Sequence, residues 1–348
     1  MFEIGGRPVG LHAAPFFIAE MSGNHNGSLD RALEIVDAIA DAGAHALKIQ
    51  TYTADTMTLN IPHGEFLIQD EKSLWNGRTL YDLYEEAHTP WAWHGPIFER
   101  AKQRGMLAFS TPFDKTAVDF LASFDVPCYK VASFENIDLP LIRKVASMGK
   151  PMIISTGLAS LVEIAEAVDA ARGAGCKDLI ILKCTSTYPA SPADSNLRTI
   201  PYMREVLGVE VGLSDHTLGI GCAVAAVAMG ATVIEKHVTL RREDGGVDSA
   251  FSLEPHEVRL LVDETERARQ AMGIVRFGAT ERERESLVFR RSLYVVRDIA
   301  AGEVFTSDNV RAIRPGLGLP PKHQEHITGR RAAHDIKRGT PMSWELLA

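Results

Sequence analysis

One unit recurs along most of this chain and restricts the fold more than any other feature. A short apolar run follows a Gly-containing turn, ends in polar residues and leads into an amphipathic segment, and then the unit starts again. The strand-like runs are Phe16–Met21, Ala46–Gln50, Met106–Ser110, Cys128–Ala132, Pro151–Ser155, Asp178–Lys183, Glu210–Leu213 and Val233–His237. Turns such as Asp41-Ala42-Gly43, Gln103-Arg104-Gly105, Ser147-Met148-Gly149 and Ala228-Met229-Gly230 precede them. Helix-period segments lie between. The first has apolar residues at 32, 35, 36, 39 and 40, Ser28 as its N-cap and Gly43 as its stop. Pro255–Met272 reads as the eighth helix, closed by Gly273. Eight strand–helix repeats with continuous apolar strands predict an α/β fold, a (β/α)8 TIM barrel. A doubly wound open sheet is the alternative, but no GxGxxG turn follows the first strand.

The pattern changes after the barrel. From Ser286 onward the chain carries short strand-like runs, Gly/Pro turns and few helical periods, which predicts a small β-rich domain over residues 286–348. The barrel is expected over residues 1–278, and charged Ala279–Glu285 reads as the linker. Asp-Ile-x-x-Gly-x-x occurs at 298 and again at 335, a weak internal repeat. The formal net charge of −8 argues against a nucleic acid or an anionic membrane as partner. Cys128, Cys176, Cys184 and Cys222 show no CxxC pairing and sit in or beside apolar stretches, as reduced core residues do. With no basic-then-apolar leader and no apolar run of about 18 residues, the expectation is a soluble cytoplasmic protein.

In a barrel of this kind, chemistry belongs at the C-terminal strand ends. Two histidines stand there: His216 after Val211-Gly212-Leu213-Ser214-Asp215, and His237 at the end of Val233-Ile234-Glu235-Lys236. Their strands are separated by one helix and should be parallel neighbours about 4.8 Å apart. Both imidazoles would then project from one end of the sheet, close enough to share a metal ion with coordination positions left open. A lone His is more often a hydrogen-bonded structural residue; the matched placement is what raises this pair.

Alternation puts Lys48 with Gln50, Ser214 with His216, and Glu235 with His237 on common faces pointing into the mouth. The same ends offer Glu20, Lys130, Ser133, Glu135, Ser155, Ser186 and Tyr188. Lysines among hydroxyls form a cradle for phosphate. An inward lysine such as Lys48 or Lys130 needs an anionic partner. A metal on two histidines can polarise a carbonyl, and nearby glutamates can move protons or bind sugar hydroxyls. The stretch from Thr53 to Pro90 is too long for a plain βα turn and reads as a lid or substrate-selecting element, with Phe66, Trp75 and Tyr84 among its residues. These aromatics serve equally well as pins that hold the loop to the barrel.

Several strings resemble the sialic acid synthase family. They are Ile18-Ala19-Glu20 with Asn24-His25-Asn26-Gly27, Leu47-Lys48-Ile49-Gln50-Thr51-Tyr52, Ser110-Thr111-Pro112-Phe113, Lys130-Val131-Ala132-Ser133-Phe134-Glu135 and Ile154-Ser155-Thr156-Gly157. Cys184-Thr185-Ser186-Thr187-Tyr188-Pro189, Gly212-Leu213-Ser214-Asp215-His216-Thr217 and Glu235-Lys236-His237 continue the series in order. The last 60 or so residues resemble that family's antifreeze-like (SAF) domain. The resemblance implies condensation of phosphoenolpyruvate with an open-chain N-acetylated amino sugar, giving a nine-carbon 2-keto acid and phosphate.

By the same resemblance, Lys130, Ser133, Ser155 and Ser214 would hold phosphoenolpyruvate, with Gln50, Ser186 and Tyr188 as further substrate contacts. His216 and His237 would bind Mn2+ or Mg2+, and Glu135 and Asp248 would bind sugar hydroxyls. Lys48 and Glu20 would move protons, and Glu235, two residues before His237 and on the same face, is placed to deprotonate the water that adds at C2. Arg314, in an Arg-Pro-Gly motif, would reach the partner's site in a domain-swapped homodimer. Ser186 stands where the N-acetylneuraminate branch usually has Asn. The stretches Phe66–Trp91 and Phe289–Tyr294, together with Arg314–Pro321, are more like the pseudaminic acid branch. A legionaminate or N-acetylneuraminate product, a metal-dependent aldolase or isomerase, and a non-catalytic glycan- or ice-binding protein are the alternatives. A flat Thr array for ice is lacking in residues 286–348.

Overall fold

The computed structural model describes residues 2–71 and 73–348, in two compact units, Met1–Gly273 and Ile274–Ala348. In the first, all eight expected strands form: β1 (Phe16–Glu20), β2 (Ala46–Thr51), β3 (Leu107–Pro112), β4 (Tyr129–Val131), β5 (Met152–Ser155), β6 (Leu179–Cys184), β7 (Glu210–Asp215) and β8 (Val233–His237). Every ladder between them is parallel, and β8 pairs with both β7 and β1, so the sheet curls round on itself. The ladder is open only between β3 and β4, which pack side by side. This is a (β/α)8 barrel. A two-stranded antiparallel ribbon, Phe2–Ile4 with Arg7–Val9, precedes it.

The strands are buried almost throughout because helices cover the outer face and side chains fill the interior. The helices follow their local signals. Ser28 accepts the amide of Arg31 at 3.2 Å and opens the helix Leu29–Asp41, whose buried residues are Ala32, Ile35, Val36 and Ile39. Ser160 and Glu163 form a capping box for Leu161–Gly173, and Glu254 with Glu257 does so for Pro255–Met272. The turns into the strands end on glycines in the left-handed region, as at Gly105 (φ +70°) before β3.

The second unit is built differently. Its named strands are only two, Ser292–Val295 and Val310–Ile313, paired antiparallel, and isolated bridges hold the rest. A 3-10 helix, Glu281–Phe289, begins at the Thr280/Glu283 capping box. Leu293, Val295, Ile299, Phe305, Val310, Ile327, Ala332, Ile336, Met342 and Leu346 make a separate small core. The sequence repeat has a structural counterpart. Ile299 and Ile336 exchange backbone hydrogen bonds, Asp335 accepts the amide of Ala301 at 2.7 Å, and Asp298 accepts the amide of Arg338 at 2.8 Å. The two copies cap each other.

Candidate active site

The C-terminal strand ends carry two linked clusters. The first is a buried charge network between β1, β2, β4 and β8. Lys48 Nζ lies 2.5 Å from Glu20 Oε2 and 3.7 Å from Glu235 Oε1, and donates to Thr111 Oγ1 at 3.2 Å. Lys130 Nζ is 3.9 Å from Glu235 Oε1 and donates to Ser155 Oγ at 2.7 Å and to the Val131 carbonyl at 2.9 Å. Ser214 Oγ donates to Glu235 Oε1 at 3.1 Å, and Gln50 Nε2 donates to Glu20 Oε1 at 3.2 Å. Two ammonium groups and two carboxylates, all but sealed from solvent, thus share one space.

Their protonation follows from the pairing. Burial pulls Lys48 down, but Glu20 and Glu235 outweigh it and hold the ammonium above its ordinary value. Burial keeps Lys130 below the usual lysine value even with Glu235 alongside. Burial acts to raise Glu235, and Lys130 and Lys48 overcome it, so the carboxylate stays ionised. Glu20 Oε2 is engaged by the Lys48 ammonium, whereas Glu235 Oε2 is buried without a hydrogen-bond partner among the described residues. Glu235 Oε2 therefore keeps its lone pairs free of hydrogen bonds within the described residues.

The second cluster joins the loops after β4, β6, β7 and β8. The rings of His216 and His237 are 5.3 Å apart, centroid to centroid. His216 Nδ1 donates to the Thr185 carbonyl at 2.9 Å, which leaves Nε2 with its lone pair. His237 Nδ1 is 3.4 Å from Asp248 Oδ2 and has no hydrogen-bond partner among the described residues. The Tyr188 ring lies 4.5 Å from that of His216, tilted by 48°, and Phe251 lies 5.0 Å from His237 and 5.5 Å from Tyr188. Ser133 and Ser186 share a 2.8 Å hydrogen bond, and both lie against the Tyr188 hydroxyl. Gly157 (φ +52°) allows this approach, because a Cβ there would sit 2.5 Å from Ser133 Cβ and 2.9 Å from Ser186 Oγ. Among the described residues no group of three or more His, Cys, Asp or Glu is set to hold a metal ion.

Glu135, in the loop after β4, lies near enough to Lys130 to feel its charge. Burial raises its carboxyl to about 7, and Oε2 has no hydrogen-bond partner among the described residues. Asp248 rides on the loop after β8. Asn24 Nδ2 donates to the Val238 carbonyl and Ser252 Oγ, Asn26 Nδ2 to the Gly245 carbonyl, and Arg31 pairs with Asp244 at 2.8 Å. Arg314 belongs to the second unit and is exposed.

The structure thus brings together Glu20, Lys48, Gln50, Lys130, Ser155, Ser214 and Glu235 in one network. Ser133, Ser186, Tyr188, His216, His237 and Asp248 form the other. Sequence reasoning missed Thr111 and Ser22, and it missed the contact of the Cys184 thiol with His216, which holds the thiol below its ordinary value against burial. Ser22 sits at φ +47° and accepts from Gln50, and its hydroxyl helps hold the Asp248 carboxyl below its ordinary value. Such a loop conformation has no periodic signature, although Thr111 lies on β3 and alternation could have found it.

A (β/α)8 barrel whose mouth holds buried lysines and hydroxyls defines a class: barrels equipped to take a small anionic substrate. Residues 35–276 match the NeuB family and residues 290–348 the SAF domain. The chain belongs to the NeuB family. It is 46% identical to the pseudaminic acid synthase of Campylobacter jejuni, over 93% of this chain and 94% of that one. The Helicobacter pylori pseudaminic acid synthase is 40% identical, over 94% and 96%. The solved N-acetylneuraminic acid synthetase of Leptospira borgpetersenii, in complex with citrate, superposes with a TM-score of 0.73 at 33% identity, covering 82% of this chain and 94% of that one.

Proposed function

We propose that this protein carries out the reaction of a pseudaminic acid synthase: metal-dependent condensation of phosphoenolpyruvate with 2,4-diacetamido-2,4,6-trideoxy-L-altrose, giving a nine-carbon 2-keto acid and phosphate. The observation that carries the reading is the buried Glu20–Lys48–Glu235–Lys130 network beside the histidine pair. Buried lysines arranged with serine hydroxyls suit a trianionic substrate, and the relatives named for this product match at 40–46%.

In this reading Lys130, Ser133, Ser155, Ser186 and Ser214 bind phosphoenolpyruvate. His216 and His237 hold Mn2+ or Mg2+, which when bound supplies Lewis acidity toward the sugar aldehyde oxygen. His216, its ring oriented by the Thr185 carbonyl, and the unbonded, buried Nδ1 of His237 fit that role. Glu135, Asp248, Tyr188 and Gln50 orient the sugar. C3 of phosphoenolpyruvate bonds to the aldehyde carbon, and the aldehyde oxygen takes a proton relayed by Lys48 and Glu20. Positive charge develops at C2, water adds there, and Glu235 accepts the proton of that water through its free lone pair. Phosphate then leaves by C–O cleavage. Arg314 completes the partner's site in a homodimer, and the reaction takes place in the cytoplasm.

The test is phosphate release with phosphoenolpyruvate, Mn2+ and one amino sugar at a time. The diacetamido trideoxy-altrose should give a kcat/KM at least tenfold above N-acetylmannosamine or the legionaminate precursor. Equal or reversed preference removes the product assignment, and phosphate release from none of them removes the reaction.

A further inference from the structure

The residues next to the two histidines form a buried ion pair that the reaction itself does not use. Asp215 precedes His216 and Lys236 precedes His237. In the β7–β8 register they are direct partners. Lys236 Nζ is 2.8 Å from Asp215 Oδ2 and donates to the Thr217 carbonyl at 2.6 Å. Asp215 Oδ1 accepts from the Thr217 amide at 2.9 Å and from Thr217 Oγ1 at 2.7 Å. The side chains of Lys236 and Asp215 are 0% and 2% exposed.

Alternation sends Glu235 and His237 into the mouth, so Lys236 and Asp215 lie on the outer face of the barrel wall, in line with Ile234 and Leu213. That face is ordinarily apolar, and an ion pair there is not explained by stability. The desolvation of two charges offsets most of their attraction, and apolar replacements of the same volume are commonly neutral or stabilising. What the pair does have is geometry. The Asp215–Thr217 bonds make an Asx turn that encloses the His216 backbone. Lys236 then grips both sides of that turn from the residue beside His237. The backbone segments that carry the two imidazoles are cross-linked at the point where they project.

We propose that Asp215, Lys236 and Thr217 are positioning residues that fix the separation and aim of His216 and His237 for a divalent cation. The inference rests on the proposed binding of a metal by the histidine pair. Partners that orient metal-binding histidines typically change metal affinity 10- to 100-fold when removed.

The experiment measures Mn2+ binding to the full chain by calorimetry and by the EPR signal of free Mn2+, alongside thermal unfolding. The proteins are wild type, His237→Ala, the double variant Asp215→Leu/Lys236→Met, and Thr217→Val. The double variant should unfold at or above the wild-type temperature yet bind Mn2+ at least tenfold more weakly. Thr217→Val, which keeps the ion pair, should fold normally and still lose Mn2+ affinity, by less than the double variant does. Loss of affinity without loss of stability separates positioning from a structural role. Wild-type affinity in a folded double variant overturns the inference, and if that variant does not fold, wild-type affinity in Thr217→Val overturns it. Equal Mn2+ binding by wild type and His237→Ala instead removes the metal reading on which it stands.

Discussion

Lys130 is enclosed by the barrel wall, so its charge must be answered from inside the mouth. Glu235 at 3.9 Å and the Ser155 hydroxyl answer it in part, and an incoming phosphate would complete the set. Removing one member of such a buried set typically costs about 2–5 kcal/mol. Lys130→Met should therefore lower kcat/KM for phosphoenolpyruvate by roughly two to three orders of magnitude while the sugar KM moves little. Steady-state kinetics with each substrate varied would expose a different split. Glu135 offers a pH test at the same scale. Burial raises its carboxyl to about 7, so the group is protonated below that pH and ionised above it. If the carboxylate accepts hydrogen bonds from sugar hydroxyls, kcat/KM for the sugar rises through pH 7 in the wild type, and Glu135→Gln flattens that limb. An unchanged limb in the variant would assign the titration elsewhere. Lys130 was legible in the sequence because strand alternation fixes which side chains share the mouth, whereas Glu135, in the loop after β4, was reached only from its place past a strand end and from the family resemblance. The contacts of Ser22 were not, since loop conformation sets them.

Elements show the same division. Strands and helices announced themselves through apolar period and capping residues; Pro255–Met272 begins at its capping box and ends before Gly273. Residues 54–89 gave only their length and aromatics, and the structure distinguishes two of those. Tyr84 packs edge-on against Tyr52 at 5.9 Å, pinning the segment to the end of β2. Trp75 instead donates its indole N–H to the Val247 carbonyl at 3.1 Å and lies 5.9 Å from Tyr188, in reach of the loops that carry Asp248 and the Tyr188 ring. Tyr84→Ala should lower the unfolding temperature and alter both KM values alike. Trp75→Ala should raise the sugar KM at least five-fold with the phosphoenolpyruvate KM within two-fold, because a large aromatic surface at the sugar side is lost. Equal changes in both KM values from Trp75→Ala would make it a pin as well. The second unit was harder to read, because its order comes from bridges and reciprocal caps such as Asp298 and Asp335 more than from strand periodicity.

At the scale of the whole molecule, buried histidines tie stability to pH. Burial lowers His25, His45 and His94 each to about 4 from 6.5, with His88 adding to the effect at His25 and Arg7 at His45. Their folded-state values lie below the unfolded one. The stability they contribute is therefore complete above pH 6.5 and is lost as pH falls toward 4, by at most roughly 3 kcal/mol each. Denaturant midpoints measured from pH 7.5 to 4.5 should fall steeply below 6.5, and His94→Gln should lessen the slope; a flat profile would show that these groups titrate normally. The proposed sharing of Arg314 between subunits makes a second whole-molecule prediction. Mixed Arg314→Ala and Lys48→Ala subunits should regain activity that neither variant has alone, because a mixed dimer holds one intact site, and no recovery after confirmed exchange would confine Arg314 to its own chain.

The decisive measurement follows the oxygen of water through the reaction. Run with phosphoenolpyruvate, Mn2+ and the diacetamido trideoxy-altrose in 18O-labelled water, the protein should yield a nine-carbon keto acid and phosphate, with the released phosphate free of label. Labelled phosphate would mean that water attacks phosphorus, and neither Glu235 nor the buried charge network could then play the part proposed for it.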